Sequence, residues 1–128
     1  MADPQDGRQR IPPLSKFEET ASFTRAIRVG DRIIVAGNVA PGDTAGEQAT
    51  RIFEQIVGYI EQLGGHSGDV VRVRMFVTDI KDAEAVTAAF TKAVGHARPT
   101  GTLVAVAALA GPMFKVEIEA EAVVGSGQ

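Results

Sequence analysis

One stretch near the carboxyl end decides the fold: Lys115-Val116-Glu117-Ile118-Glu119-Ala120-Glu121-Ala122-Val123. Apolar and acidic residues alternate strictly along it, which is the two-residue period of a β-strand with one buried face. A second stretch repeats the pattern with arginines in place of glutamates, Val71-Arg72-Val73-Arg74-Met75. Because like charges in a row repel, we expect the glutamates to lie in water or opposite cations on a neighbouring strand. The two stretches predict a sheet with one apolar face and one charged face.

The composition limits the class of protein. The chain has 128 residues and a net charge of −3, with 45% hydrophobic and 23% charged residues, which is typical of a single globular domain. The negative charge disfavours nucleic acid as a partner. The chain has no cysteine, which excludes disulfides, thiolate metal sites and cysteine nucleophiles. His66 and His96 each stand alone among Gly, Ser and Ala, so we expect exposed loop histidines and no metal site.

Targeting signals are also missing from the sequence. No apolar stretch approaches the roughly 20 residues of a membrane span. The polar start of the chain lacks the apolar core of a signal peptide. We therefore expect a cytoplasmic protein with no membrane partner. Residues 1–13, rich in charge, Gln, Gly and Pro, are expected to form a disordered leader before a single domain over 14–125.

Turn and capping signals divide the domain into seven elements. Strands are predicted over 23–29, 32–36, 70–78, 103–107 and 115–123. A helix begins after Thr44, where Glu47 completes a capping box, and ends at Gly64-Gly65; a second helix covers about 82–94. Strand 70–78 should direct Val71 and Val73 to its apolar face. The order ββαβαββ predicts an α+β or α/β domain, a single sheet with two helices on one face.

The other face of this sheet is left bare. It would carry Arg72, Arg74, Phe76 and the three glutamates of the last strand, a mixture too charged for a core and too apolar in places for open solvent. A symmetric oligomer would cover it.

Three blocks of sequence, in this order, resemble the RidA family, also called YjgF/YER057c/UK114. The blocks are 28–37 (RVGDRIIVAG), 69–79 (DVVRVRMFVTD) and 116–120 (VEIEA), and the resemblance covers about residues 15 to 124. It implies an α+β, chorismate-mutase-like fold with a single mixed sheet. It also implies a homotrimer whose sheets form a central barrel, with ligand sites in the clefts between subunits. The activity it implies is hydrolysis of reactive enamines and imines, such as 2-aminoacrylate, without a metal or organic cofactor.

The family's site residues transfer only in part. Glu117 matches the glutamate of the last strand that is associated with the attacking water, which makes it the catalytic candidate. Phe23 holds the place of an aromatic residue that lines the site, without the tyrosine hydroxyl usual there. Gly37 matches the glycine after the second strand, and Asn38 follows it.

The family's arginine that grips the substrate carboxylate is absent, and Gly101 stands in its place. A guanidinium–carboxylate fork is a planar recognition element that glycine and threonine cannot replace. Two possibilities follow for ligand binding. Arg74, or Arg72, reaches the cleft from another strand, or the ligand carries no carboxylate and Thr100 and Thr102 bind a neutral polar molecule.

Each candidate also has a purely structural interpretation. The glutamates of the last strand could simply pair with arginines inside a trimer, fixing register rather than catalysing a reaction. Arg25 and Arg98 could be solvated surface residues, and the segment 100–102 a tight turn. Three functions remain open, and so does the question of whether the protein is an enzyme. The first is hydrolysis of a small imine, enamine or carbonyl metabolite; the second is binding or regulation without deamination; the third is RNA cleavage.

Overall fold

The computed structural model describes residues 7–127 and contains six strands. They are β1 (Gln9–Arg10), β2 (Ala26–Val29), β3 (Arg32–Asn38), β4 (Val70–Val77), β5 (Thr100–Ala105) and β6 (Val116–Val123). They form one sheet in the order β1-β2-β3-β6-β4-β5. Only β4 and β5 are parallel, and every other neighbouring pair is antiparallel. The predicted single mixed sheet is confirmed.

The alternating stretch forms the central strand, because β6 lies between β3 and β4. The four apolar residues on its inner face, Val116, Ile118, Ala120 and Ala122, are each no more than 3% exposed. Burying a side chain the size of valine or isoleucine stabilises the fold by about 1.5–3 kcal/mol. The strand predicted to decide the fold therefore runs through the middle of the core, with its glutamates on the opposite face.

Three α-helices accompany the sheet, α1 (Lys16–Ala21), α2 (Ala45–Gln62) and α3 (Ala83–Val94). The two longer helices were predicted, and the short α1 was not. α2 packs against β6 and β3 and lies beside α3. The core between α2 and the sheet includes side chains no more than 1% exposed, among them Ile52, Phe53, Ile56 and Ile60. These are the positions at which the sequence shows helical spacing.

The ends of α2 follow the predicted capping signals. The Thr44 hydroxyl accepts a hydrogen bond from the Glu47 amide (3.1 Å). The Glu47 carboxylate reaches back to the Asp43 amide (3.1 Å), one residue before the N-cap. Gly64 follows the C-cap with φ +94°, a left-handed conformation that favours glycine.

One predicted side-chain direction is wrong. The register between β4 and β6 shifts between Val70 and Arg72. Because a bulge adds one residue to a strand, side chains before it change face. Val70 is consequently buried (2% exposed), whereas Val71, predicted to face the core, is 37% exposed.

The structure also differs at the amino end and at two strand starts. Residues 1–6 of the expected leader lie outside the described residues. Within its second half, β1 pairs with β2 and Ile11 is buried. β2 begins at Ala26, three residues later than predicted, and β5 begins at Thr100, three residues earlier, because it pairs with β4 from there.

Candidate functional site

The acidic face of β6 divides into paired and unpaired carboxylates. The antiparallel register sets Glu121 opposite Arg72, Glu119 opposite Arg74, and Glu117 opposite Phe76. The Arg74 guanidinium donates a hydrogen bond to Glu119 Oε1 at 2.9 Å. Glu117 has no hydrogen-bond or ion-pair partner among residues 7–127. It is the one member of the row left available for chemistry.

Gly37 brings the backbone of β3 against this free carboxylate. The register between β3 and β6 shifts between Val35 and Asn38, so β3 bulges beside Glu117. A Cβ atom at position 37 would overlap the Glu117 carboxylate and lie 3.0 Å from its Cδ. Only glycine at position 37 leaves room for that carboxylate. Bulges of this kind are common beside active sites.

The surroundings of Glu117 alter its acidity. The side chain is partly buried between β3 and β4. Burial raises the pKa of Glu117, and the negative charge of Glu119 raises it further. Both causes disfavour the ionised form. A carboxyl with a raised pKa is better suited to exchange protons near neutral pH than an ordinary surface glutamate is.

Glu117 borders a cavity of about 320 Å³ at this end of the sheet. Its walls include Gly37, Phe114 and two further aromatic residues, Phe17 in the first turn of α1 and Phe23 just after its end. The rings of Phe17 and Phe23 meet edge to face, with centroids 5.7 Å apart and planes at 80°. Both rings are exposed in the single chain, at 66% and 61%. The cavity thus joins the unpaired carboxylate of Glu117 to three phenylalanine rings.

A buried ion pair forms another part of the wall. Arg25 donates a hydrogen bond to Glu18 Oε2 at 2.7 Å and another to Asn38 Oδ1 at 3.2 Å. The Arg25 guanidinium, with help from the Ser15 hydroxyl and against the effect of burial, lowers the pKa of Glu18. Glu18 is 4% exposed, and its Oε1 has no hydrogen-bond partner. This arrangement ties Arg25 to the protein rather than leaving it free for a ligand.

Sequence reasoning missed Phe17 and Glu18 because it missed α1. A signal was present, since Ser15 followed three residues later by Glu18 has the pattern of a capping box. The Ser15 hydroxyl accepts from the Glu18 amide at 3.3 Å, and it donates to the Glu18 carboxylate at 3.1 Å. The same carboxylate that caps the helix therefore also holds Arg25 at the cavity.

Of the predicted site residues, Phe23, Gly37 and Glu117 line this cavity. Asn38 is buried behind it, where it accepts from Arg25 and donates to the Ala36 carbonyl.

The remaining predicted site residues lie elsewhere in the single chain. Arg74 borders a separate cavity of about 70 Å³ together with Arg72 and the paired glutamates. Thr100 and Thr102 lie on the edge strand β5, in register with Arg72 and Arg74. Gly101 faces the other way, and a Cβ atom there would lie 3.8 Å from the Phe90 ring.

A larger groove of about 560 Å³ lies between α2 and α3. It contains none of the predicted site residues and is lined mainly by Phe53, Val57, Ala89 and charged side chains of the two helices. The cavity at Glu117 combines an unpaired carboxylate with apolar rings, so it is the better candidate site.

Two other kinds of site are absent from the part of the chain that the structure describes. No group of three His, Asp or Glu side chains there could hold a metal ion. None of the helices over residues 7–127 is both long and apolar enough to span a bilayer.

The sequence and the fold of this chain are both similar to those of known proteins. The family model described as Endoribonuclease L-PSP matches residues 14–124. The chain superposes on the Mycobacterium tuberculosis protein Rv2704, a member of the YjgF/YER057c/UK114 family, with a TM-score of 0.88 and 37% identity, covering 91% of this chain and 99% of that one. The chain belongs to the RidA (YjgF/YER057c/UK114) family. The expected chorismate-mutase-like arrangement of the sheet agrees with this RidA-family neighbour.

Other members of the RidA family are similar over most of their length. A protein of Streptomyces coelicolor is 32% identical over 92% of this chain and 93% of its own. A RutC family protein of Pyrococcus abyssi is 29% identical over 77% of this chain and 83% of its own. A Thermotoga maritima structure described as a putative endoribonuclease has a TM-score of 0.74 and 29% identity, covering 79% and 85% of the two chains.

Proposed function

We propose that this RidA-family protein hydrolyses a small reactive imine or enamine in clefts between the subunits of a homotrimer. The observation that carries the proposal is Glu117, a partly buried carboxylate without a partner among residues 7–127, held against Gly37 at the mouth of an aromatic cavity. A carboxylate in this setting is the recognised arrangement of a general base. The reaction class follows from the family, in which no metal or organic cofactor is expected.

Glu117 would act on the water that attacks the imine. Its carboxylate accepts a proton from water as the water oxygen bonds to the carbon of the protonated imine, giving a neutral carbinolamine. The proton then passes from Glu117 to the nitrogen, and the C–N bond breaks as ammonia leaves. The hydroxyl gives its proton to the Glu117 carboxylate as the carbonyl forms, and ammonia takes up that proton and leaves as ammonium. An enamine first takes a proton from solvent on carbon and becomes the same protonated imine. The raised pKa of Glu117 favours both accepting and returning the proton.

A homotrimer would complete the site. The face of the sheet opposite α2 and α3 leaves apolar residues exposed between its charges, including Ile34 at 38% and Val104 at 42%. A second subunit over this face would bury them and enclose the paired arginines and glutamates. We propose that the edge strand of a neighbouring subunit brings Thr100 and Thr102 to the cavity, with the backbone of Gly101 between them.

Binding without hydrolysis is the second candidate function. The glycine at position 101 supports it, because the family's carboxylate-gripping arginine is missing there. Arg74 is not free to replace that arginine, since it is hydrogen-bonded to Glu119. RNA cleavage ranks third, because the chain carries a net charge of −3 and the cavity wall contains two carboxylates.

Imines generated in place by amine and amino acid oxidases test the proposal. Ammonia release and the yield of a semicarbazone trap would be followed with and without the protein, because hydrolysis competes with trapping. We expect the protein to accelerate ammonia release and to lower the trap yield. Light scattering would first confirm that the protein is a trimer. If every imine of the panel then decays at the spontaneous rate, binding without hydrolysis remains as the function.

A further inference from the structure

The charges around the cavity do not suit an anionic ligand. The ionisable groups in its wall are Glu18, Arg25 and Glu117. Arg25 is held by Glu18 at 2.7 Å, so its positive charge is already compensated. Two carboxylates and one guanidinium leave one net negative charge, which lies at Glu117. The second oxygen of Glu18 also lacks a hydrogen-bond partner, which adds an acceptor to the wall beside the carboxylate of Glu117.

The apolar part of the wall indicates what the rest of the ligand resembles. Phe17 and Phe23 present two exposed rings at 80° to one another, and Phe114 lies on the same cavity. Such surfaces bind aromatic or aliphatic groups, and ring faces also attract cations. These three phenylalanine rings have no N–H or O–H group that could donate a hydrogen bond to a second, charged group of the ligand.

We propose that the substrate is the protonated imine of an aldehyde or ketone with an uncharged apolar substituent, and not an imino acid. This rests on the proposed hydrolase function and adds the substrate class. The iminium nitrogen pairs with Glu117, the substituent lies against Phe17 and Phe23, and a carboxylate on the ligand would meet an uncompensated negative charge. Repulsion of the wrong ligand is a common source of specificity.

The reaction balances without any further reactant. For an aryl aldimine, R–CH=NH₂⁺ and water give R–CHO and NH₄⁺, with the water oxygen retained in the aldehyde. The class of reaction that supplies such a substrate is oxidation of a primary amine by a flavin-dependent oxidase, which releases the imine.

Two ligands of similar size test the charge preference without catalysis. Isothermal titration of the intact oligomer at pH 7.5 would compare 2-phenylethylammonium with phenylacetate. We expect the cation to bind at least tenfold more tightly. Equal or tighter binding of phenylacetate overturns the inference, and so does the absence of binding by either ligand.

Two imines with the same side chain test the preference in turnover. Oxidation of 2-phenylethylamine gives the aldimine, and oxidation of phenylalanine gives the imino acid, which differs from it by one carboxylate. We expect kcat/KM for the aldimine to exceed that for the imino acid by at least tenfold. The reverse order overturns the inference but leaves the hydrolase function intact. Binding of the cation with no hydrolysis of either imine overturns the hydrolase function instead.

One variant tests whether the preference for the aldimine depends on the Glu18–Arg25 ion pair in the cavity wall. Glu18→Gln removes the carboxylate that compensates Arg25, so the preference for the aldimine should narrow by about tenfold or more. Glu121→Gln is the control, because Glu121 pairs with Arg72 outside this cavity and should leave the preference unchanged. An unchanged preference in a folded Glu18→Gln protein contradicts the role given to the ion pair, and the wild-type comparisons stand whether or not this variant folds.

Discussion

Replacing Gly37 by alanine separates the position of Glu117 from the stability of the fold. The added methyl group would overlap the Glu117 carboxylate and approach its Cδ to 3.0 Å. The obstacle is the free end of a flexible side chain, not backbone, so Glu117 moves aside at little cost. We expect the free energy of unfolding to change by no more than about 1 kcal/mol, the usual size of glycine-to-alanine effects.

The catalytic cost should be much larger than the cost in stability. A displacement of about 1 Å at a reacting group reduces the rate on the order of 10²-fold. The carboxylate has to move by at least this much, because the new methyl group takes its space. Gly37→Ala should therefore lower kcat/KM for imine hydrolysis by about 100-fold while the protein remains folded and keeps the wild-type assembly.

Ammonia release measures the activity, and urea unfolding with light scattering measures the fold and assembly. Gly58→Ala is the matched control, because a Cβ atom there meets nothing within 4 Å. It lies inside α2, so alanine should stabilise the protein by up to about 1 kcal/mol and leave the activity unchanged. A Gly37→Ala protein with wild-type kcat/KM would refute the placement of Glu117 at the reacting atoms.

Three further variants probe the charges and the core. Glu119→Gln should shift the acidic limb of the pH profile of kcat/KM to lower pH, because the Glu119 charge adds to burial in raising the pKa of Glu117. An acidic limb that stays at the wild-type pH would contradict this. Glu121→Gln serves as the control. The lowered pKa of Glu18 makes its stabilisation fully present above about pH 4.5 and lost as the pH falls through the folded-state value. Glu18→Gln should accordingly flatten the acid dependence of the unfolding free energy; an unchanged slope would rule this out. Gln48→Ala should cost about 3 kcal/mol by urea unfolding, since it empties the buried position of Gln48 and removes the acceptor of the Lys115 amide. A loss under about 1 kcal/mol would mean that water replaces this bond.

The regular elements could be predicted because their periods are strong. The two-residue alternation in β6 and the three- and four-residue spacing in α2 each describe a face that has to be buried. The capping pair Thr44 and Glu47 marked where α2 begins. Val71 was assigned to the wrong face because a bulge depends on the pairing of two strands, which neither strand reveals by itself.

The short α1 could not be predicted from periodicity. It has six residues, and its largest apolar side chain, Phe17, is 66% exposed, so no apolar stripe indicates it. Only the Ser15–Glu18 pattern gave a local signal. Without α1 the cavity had no second aromatic wall, and Arg25 had no partner, so it was interpreted as a surface residue.

The division among the three glutamates required the register of the sheet. The alternation is the same for each, and a shift of the pairing would change which one faces an arginine. The register sets Arg74 opposite Glu119 and Phe76 opposite Glu117. The prediction that Glu117 differs from its neighbours came from the family resemblance, and the structure supplies the physical reason.

The most direct measurement compares imine hydrolysis by the wild-type protein and by Glu117→Gln. The amide keeps the size of the side chain but cannot accept a proton from water. The mechanism predicts a loss of roughly 10²–10⁴-fold in kcat/KM, the range of general-base effects, with unchanged unfolding and assembly. A Glu117→Gln protein that releases ammonia at the wild-type rate would contradict it.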